Sequence, residues 1–230
     1  MREIRAGVLA LAAFVCAPAL SAQVAREANS TYQTESDRKV VAGTLNAPDR
    51  EATEKPRELV EAMGLSRGMT VADVGTGIGY MLPFLSHAVG PRGHVIAEDI
   101  FDDFLASARD RAAVQRLSNV SFVKGTETDP MLPEGQVDEA LVLDAYHHFD
   151  YPEKMLAALH RSLKPGGKLV VVEYYRSQTS MPNGRALQHI RLDKPDVVKE
   201  ISANRFRLLS EREHIPGSQY MLIFERSGDR

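Results

Sequence analysis

Three glycines stand at alternate positions in the segment Asp73-Val74-Gly75-Thr76-Gly77-Ile78-Gly79. With no side chains in the way, such a stretch turns sharply and lets a ligand come close to the backbone. A helix starting just behind it presents unpaired N–H groups to a carboxylate or phosphate. Asp99 closes the next apolar run, a place from which a carboxylate accepts hydrogen bonds from both hydroxyls of a ribose. Glu98 is its neighbour, but strand alternation points the two side chains to opposite faces, so only one is expected to dominate. A further group follows at Asp144, Tyr146, His147 and His148. Imidazole titrates near neutral pH, so either histidine could act as general base for an acceptor that holds a proton, and Tyr146 could orient that acceptor. The plainer alternative packs one histidine under the loop, solvates the other and puts Tyr146 in the core. His87, His94, His160 and His214 are scattered without the spacing of a metal site, and no metal is expected. His189 and Arg191 belong either at the pocket or in a surface loop.

Periodicity predicts the elements that must position these residues. Residues 70–74, 94–97, 120–123, 140–143 and 168–173 are short apolar runs of the kind that form buried parallel strands. Pro56 opens a helix with Leu59, Val60 and Met63 on one face and Gly64 at its end. A second helix runs to about residue 89, and Phe101, Phe104, Leu105, Ala108 and Ala112 mark a third as amphipathic. Asp150 is expected to cap the helix of Met155, Leu156, Leu159 and Leu163, which Pro165-Gly166-Gly167 should end. Asp193 is expected to cap another, with Val197, Val198 and Ile201 inward, before a closing strand pair at 206–209 and 220–224. This alternation predicts an α/β fold: a doubly wound, mostly parallel seven-stranded sheet with helices on both faces. Its ligand belongs beyond the carboxyl ends of the strands, where strand order reverses.

The composition suits one such domain: 230 residues, 43% hydrophobic and 26% charged. Its net charge of -3 argues against a polyanion-binding surface over the whole molecule, so nucleic acid is not expected and a small-molecule partner is the default. Residues 1–22 carry Arg2 and Arg5, an apolar run over 6–15, and small residues at Ala17, Ala19, Ser21 and Ala22. That pattern describes a secretory signal peptide, too short for the roughly 20 residues of a membrane span. It predicts an exported, periplasmic or secreted protein with no stable membrane anchor after cleavage. Cleavage would also remove Cys16, the only cysteine, and with it any sulfur chemistry. Residues 23–50 are polar and aperiodic, a linker or lid ahead of the domain at 51–230.

Taken together, these segments resemble the class I S-adenosylmethionine-dependent methyltransferases. The loop from Asp73 to Gly79 matches the first motif of that family and Ala97-Glu98-Asp99-Ile100 the second. Residues 119–125 lead into the third, residues 143–149 occupy the fourth, and Leu159-His160-Arg161-Ser162-Leu163-Lys164-Pro165-Gly166-Gly167-Lys168-Leu169 is close to the most recognisable stretch. The resemblance spans roughly residues 56–224 and implies S-adenosyl-L-methionine as cofactor and in-line transfer of its methyl group to a small molecule. It implies that Asp73, Gly75 and Gly77, with Thr76 between them, hold the methionine portion, that Asp99 takes the ribose, and that Ile100 lies against adenine. Asp144 would line the far side. The family places a carboxylate after Gly125, where this chain has Thr126, with Glu127 and Asp129 nearby. The export signal, with His189-Ile190-Arg191-Leu192-Asp193, further resembles the bacterial predicted methyltransferases that carry a signal peptide. That subgroup usually has Gly where this chain has Asn204, which is expected to serve as a left-handed helix end. Two rivals stand beside this reading. A nicotinamide-dependent reductase is disfavoured because Tyr80 occupies the sixth loop position, where the dinucleotide fingerprint needs glycine. A non-catalytic cofactor-binding module of the same fold is the other.

Overall fold

In a computed structural model that describes residues 24–228, five strands pair in parallel: β1 (Thr70–Val74), β2 (His94–Asp99), β3 (Val120–Lys124), β4 (Val137–Leu143) and β5 (Leu163–Tyr174). With β6 (Phe206–Ile215) and β7 (Gln219–Arg226) the sheet runs β3-β2-β1-β4-β5-β7-β6, and β7 is antiparallel to both its neighbours. The signal peptide expected at 1–22 lies outside the described residues. Strand order reverses between β1 and β4, so successive crossovers depart to opposite faces and leave a crevice above the carboxyl ends there.

The two-residue period of the strands divides the core between the faces. On β4, Leu141 packs with Leu59 and Met63 of α3 (Pro56–Met63), Leu82, Leu85 and Val89 of α4 (Leu82–Val89), and Ala108 of α5 (Asp102–Val114). Ala140 and Val142 pack on the other side with Met155, Leu156 and Leu159 of α6 (Pro152–Ser162) and Val197 and Ile201 of α8 (Lys194–Ala203). Residues buried on both faces explain why these strands read as unbroken apolar runs.

Several boundaries differ from expectation, each for a local reason. Asp150 does not cap α6, because its carboxylate accepts instead from the Ala25 amide (3.0 Å) and the Asn29 side chain (3.0 Å), and Tyr151 takes the cap position. Asp193 does precede α8, but its backbone carbonyl rather than its side chain receives the first amides, from Asp196 and Val197. Asn204 has φ -101°, and the left-handed conformation passes to Arg205 at φ 68°. Pro165-Gly166-Gly167 forms an irregularity inside β5, where the register against β4 slips, rather than a separate turn. Ahead of the sheet, a 3-10 turn (Ala28–Tyr32), α1 (Glu35–Leu45) and α2 (Arg50–Glu54) occupy the stretch expected to be a linker or lid. Arg38 pairs with Asp103 on α5 (2.7 Å), and Arg111 reaches Asn46 (2.6 Å), so this segment is tied to the domain.

Candidate functional site

A cavity of about 380 Å³ opens at the crevice between β1 and β4, within the size range of small-molecule sites. Asp73, Gly75, Thr76, Gly77, Asp99, Ile100, Thr126 and Asp144 all line it. Gly75 has φ 72°, which a side chain resists, and a Cβ there would stand 2.8 Å from the Cβ of Ala145. The backbone therefore passes the crevice bare, and the loop is fastened from below by acids. Thr76 donates its hydroxyl to Asp73 (2.6 Å), the Gly75 amide donates to Glu98 (3.2 Å), and the Gly77 amide donates to Asp99 (2.9 Å). Asp99 also accepts from the Phe101 amide (3.0 Å).

Glu98 and Asp99 thus both serve the loop, contrary to the expectation that one would dominate. β2 ends beneath a curving loop, so the loop wraps over the strand terminus and reaches both side chains. Burial, opposed by the Thr76 hydrogen bond, pushes the Asp73 carboxyl up to about 6. Burial likewise pushes Asp99 up to about 6, against the hydrogen bonds from Phe101 and Gly77. Burial holds Glu98 well above the usual carboxylate range, and Asp99 adds to the effect. Asp144 is raised well above that range by burial and by the nearby charge of Glu54, although Gln219 donates to it (3.0 Å). Four acids around one cavity, each strained by losing water, favour a ligand that carries positive charge.

The loop after β3 resolves the departure at Thr126. Its hydroxyl accepts from the Asp129 amide (3.0 Å), and the Asp129 carboxylate turns away to the Met131 amide (2.7 Å) and Arg161 (3.0 Å). Thr126 and Glu127 face the cavity, so Glu127 is the carboxylate this loop offers a ligand.

The three candidates for acceptor chemistry separate. His148 lines the cavity, and its Nδ1 lies 2.8 Å from Asn29 Oδ1. Tyr146 does not line it: the side chain is buried, and its hydroxyl donates to Glu200 (2.6 Å), which also binds Arg191 (2.5 Å). His147 is buried behind the wall, with Nδ1 2.6 Å from Glu173 and Nε2 3.2 Å from His189 Nε2. His189 is accordingly buried away from the cavity, and Arg191 stands half-buried in the loop after it, held by Glu200. The expectation of no metal weighed four scattered histidines, but the cluster that forms is His147, His148 and His189.

Sequence reasoning allowed a lid over 23–50 but named none of the residues by which it meets the cavity. Asn29, Tyr32, Leu45 and Arg50 from residues 24–54 line it. Tyr32 packs edge-on against His148 with ring centroids 4.7 Å apart, and Arg50 lies 4.6 Å over the Tyr80 ring. Aromatic Tyr32 amid polar neighbours was the available signal. Arg50 Nε, Tyr80 Oη and Glu98 Oε1, all on lining residues, are buried without a hydrogen-bond partner among the described residues. A buried polar atom left so costs about 1–3 kcal/mol, which a ligand with donors and acceptors would recover.

The comparisons with known proteins point the same way. A family model described as a methyltransferase domain matches residues 72–171. The ubiquinone/menaquinone biosynthesis C-methyltransferase UbiE of a Marinomonas species is 31% identical over 181 residues, which cover 74% of this chain and 72% of that protein. The UbiE of Shewanella oneidensis is 33% identical over 126 residues, 53% of this chain and 49% of that one, so the chain spans about half the length of such relatives. A SAM dependent methyltransferase from Aquifex aeolicus superposes with a TM-score of 0.74 at 26% identity, over 83% of this chain and 97% of that one.

Proposed function

Because this chain belongs to the class I S-adenosylmethionine-dependent methyltransferase family, we propose that it moves the methyl group of S-adenosyl-L-methionine to a small-molecule acceptor. The observation that carries this is the acid-lined cavity over the glycine loop, whose Asp73, Glu98, Asp99 and Asp144 suit a ligand bearing an ammonium and a sulfonium. When bound, the cofactor supplies a methyl carbon already activated by positive sulfur. The chain contributes placement: the bare Gly75 and Gly77 backbone admits the methionine portion, Asp99 and Glu98 hold the loop, and Thr126 with Glu127 borders the adenine side. Fixing acceptor and methyl carbon in line removes roughly 7–11 kcal/mol of barrier. The segment over residues 24–54 covers part of that space, with Tyr32, Leu45 and Arg50 on its wall.

Isothermal titration with S-adenosylmethionine and its demethylated product tests the reading. Both should bind one to one, Asp99→Ala should weaken both, and NADH should not compete. Tight NADH binding, or no binding of either sulfur compound, would overturn it.

We also propose export to the periplasm or beyond, as in the bacterial predicted methyltransferases with signal peptides. Its support is the basic start, the apolar run and the small residues of 1–22, together with the His189–Asp193 segment. Among the described residues no helix is long and apolar enough to cross a membrane. Amino-terminal sequencing of protein recovered from the exported fraction should begin near residue 23, and an intact residue 1 there would refute cleavage.

A further inference from the structure

We propose that His147, His148 and His189 form a binding site for one divalent transition-metal ion of the borderline class, zinc foremost. The proposal stands on geometry that is independent of the methyl-transfer reading. Each of the three side chains offers a ring nitrogen, and these nitrogens lie within 4.8 Å of one another. The Nε2 atoms of His147 and His189 are 3.2 Å apart. Two imidazole nitrogens at about 2.0–2.1 Å from a tetrahedral zinc are themselves about 3.3 Å apart, so this pair is already at coordination spacing. The third nitrogen, from His148, lies within 4.8 Å of that pair and closes to the same spacing when an ion binds.

The surroundings fix which nitrogen His147 and His148 present. A carboxylate can only accept, so His147 donates Nδ1–H to Glu173 (2.6 Å) and keeps a lone pair on Nε2. Glu173 is itself held, accepting from the amides of His147 (3.1 Å) and Tyr174 (2.7 Å). Asn29 gives its side-chain N–H groups to the His148 carbonyl (3.1 Å) and to Asp150 (3.0 Å), so its Oδ1 is the acceptor that faces His148 Nδ1. His148 therefore also donates Nδ1–H and keeps Nε2 free. A carboxylate or amide oxygen behind a histidine is the usual support of a metal ligand, because it sets the tautomer and the ring orientation.

Among the described residues, Arg185 is the cation that lies against the cluster. Its Nη2 lies 3.3 Å from Nε2 and 3.5 Å from Nδ1 of His189. A point nearly equidistant from both ring nitrogens lies on neither lone-pair axis, so the guanidinium leaves the coordinating position open. Three imidazoles select a borderline ion over the hard cations that prefer oxygen, and they leave a fourth position for water. A metal-bound His148 could not also be a general base, since both roles use its Nε2.

The test is zinc titration into chelator-treated, tag-free full-length protein by calorimetry, with cobalt(II) absorption as a second readout. One ion per chain, with intense visible bands from tetrahedral cobalt, is the expected result. His189→Ala should weaken zinc at least 100-fold and abolish the bands, and Glu173→Gln should weaken it 10- to 100-fold. Folding of each variant is judged by thermal unfolding; should His189→Ala fail to fold, His189→Gln takes its place. No zinc binding, or zinc affinity unchanged in a folded His189 variant, would overturn the site and leave the cluster a hydrogen-bond relay.

Discussion

On one side of the crevice the contacts that shape the wall are short in sequence. Thr76 reaches Asp73 three residues away, and Gly77 and Gly75 reach Asp99 and Glu98 across 22 and 23 residues. On the other side they are long: Asn29 to His148 spans 119 residues, Ala25 to Asp150 spans 125, and His147 to His189 spans 42. The first wall is one strand–loop–helix unit and its neighbouring strand, so its geometry is set by local backbone demands. The second is assembled only when the amino-terminal segment, the loop after β4, the end of β5 and α7 (Ala186–His189) meet in the finished fold.

The strongest way to break the near wall is Gly75→Ala. The left-handed backbone alone costs about 1–2 kcal/mol, and the new methyl meets Ala145, which cannot withdraw. Affinity for S-adenosylhomocysteine, measured by calorimetry, should fall at least 100-fold. Gly64→Ala is the control, since Gly64 has φ 69° but faces open space; it should cost stability alone. Next in size is Asp99→Ala, which leaves the Gly77 and Phe101 amides without their acceptor and should cost 10- to 100-fold in the same affinity. Equal affinity in that variant would mean that the loop holds its shape without β2.

The same contrast explains what could be read in advance. All eight residues expected at the cofactor line one cavity, because a glycine loop and a strand-end acid carry their own spacing. Seven strands and the reversal point were legible for a similar reason: apolar runs and turn residues are local signals. For Tyr146 and His147 two placements stayed open, at the acceptor or in the packing, because a residue's place in sequence says only that it follows β4, not toward which side it turns. Their orientation is decided by Glu200 and Glu173, which lie 54 and 26 residues further on. Asp150 looked like a cap for the same reason, its true partners being at the far end of the chain. Asp150→Ala tests the distant wall: the buried Ala25 amide and Asn29 lose an acceptor, at about 1–3 kcal/mol. Hydrogen exchange should quicken over residues 24–32 and stay unchanged over the glycine loop.

The smallest effects come from pH, and they separate ligand from fold. Asp73 and Asp99 sit near 6 in the folded chain, so both are ionised at pH 7.5 and protonate as pH falls through that value. A cationic ligand favours the ionised forms, so cofactor affinity should drop about tenfold between pH 7.5 and 5.5. Glu139 provides the contrast, being buried in β4 away from the cavity and raised to about 7 by burial, with only Lys168 at 4.0 Å in compensation. Its folded value exceeds the unfolded one, so its contribution to stability is present below about 4 and lost as pH rises through about 7. Glu139→Gln stays neutral throughout, and its stability relative to the parent should therefore rise between pH 5 and 8, by on the order of 2 kcal/mol. The pH dependence of cofactor affinity should be the same in that variant as in the parent, because the carboxylates that meet the ligand are those under the glycine loop. A flattened affinity profile in Glu139→Gln would instead place the titrating group in the sheet and remove Asp73 and Asp99 from cation recognition.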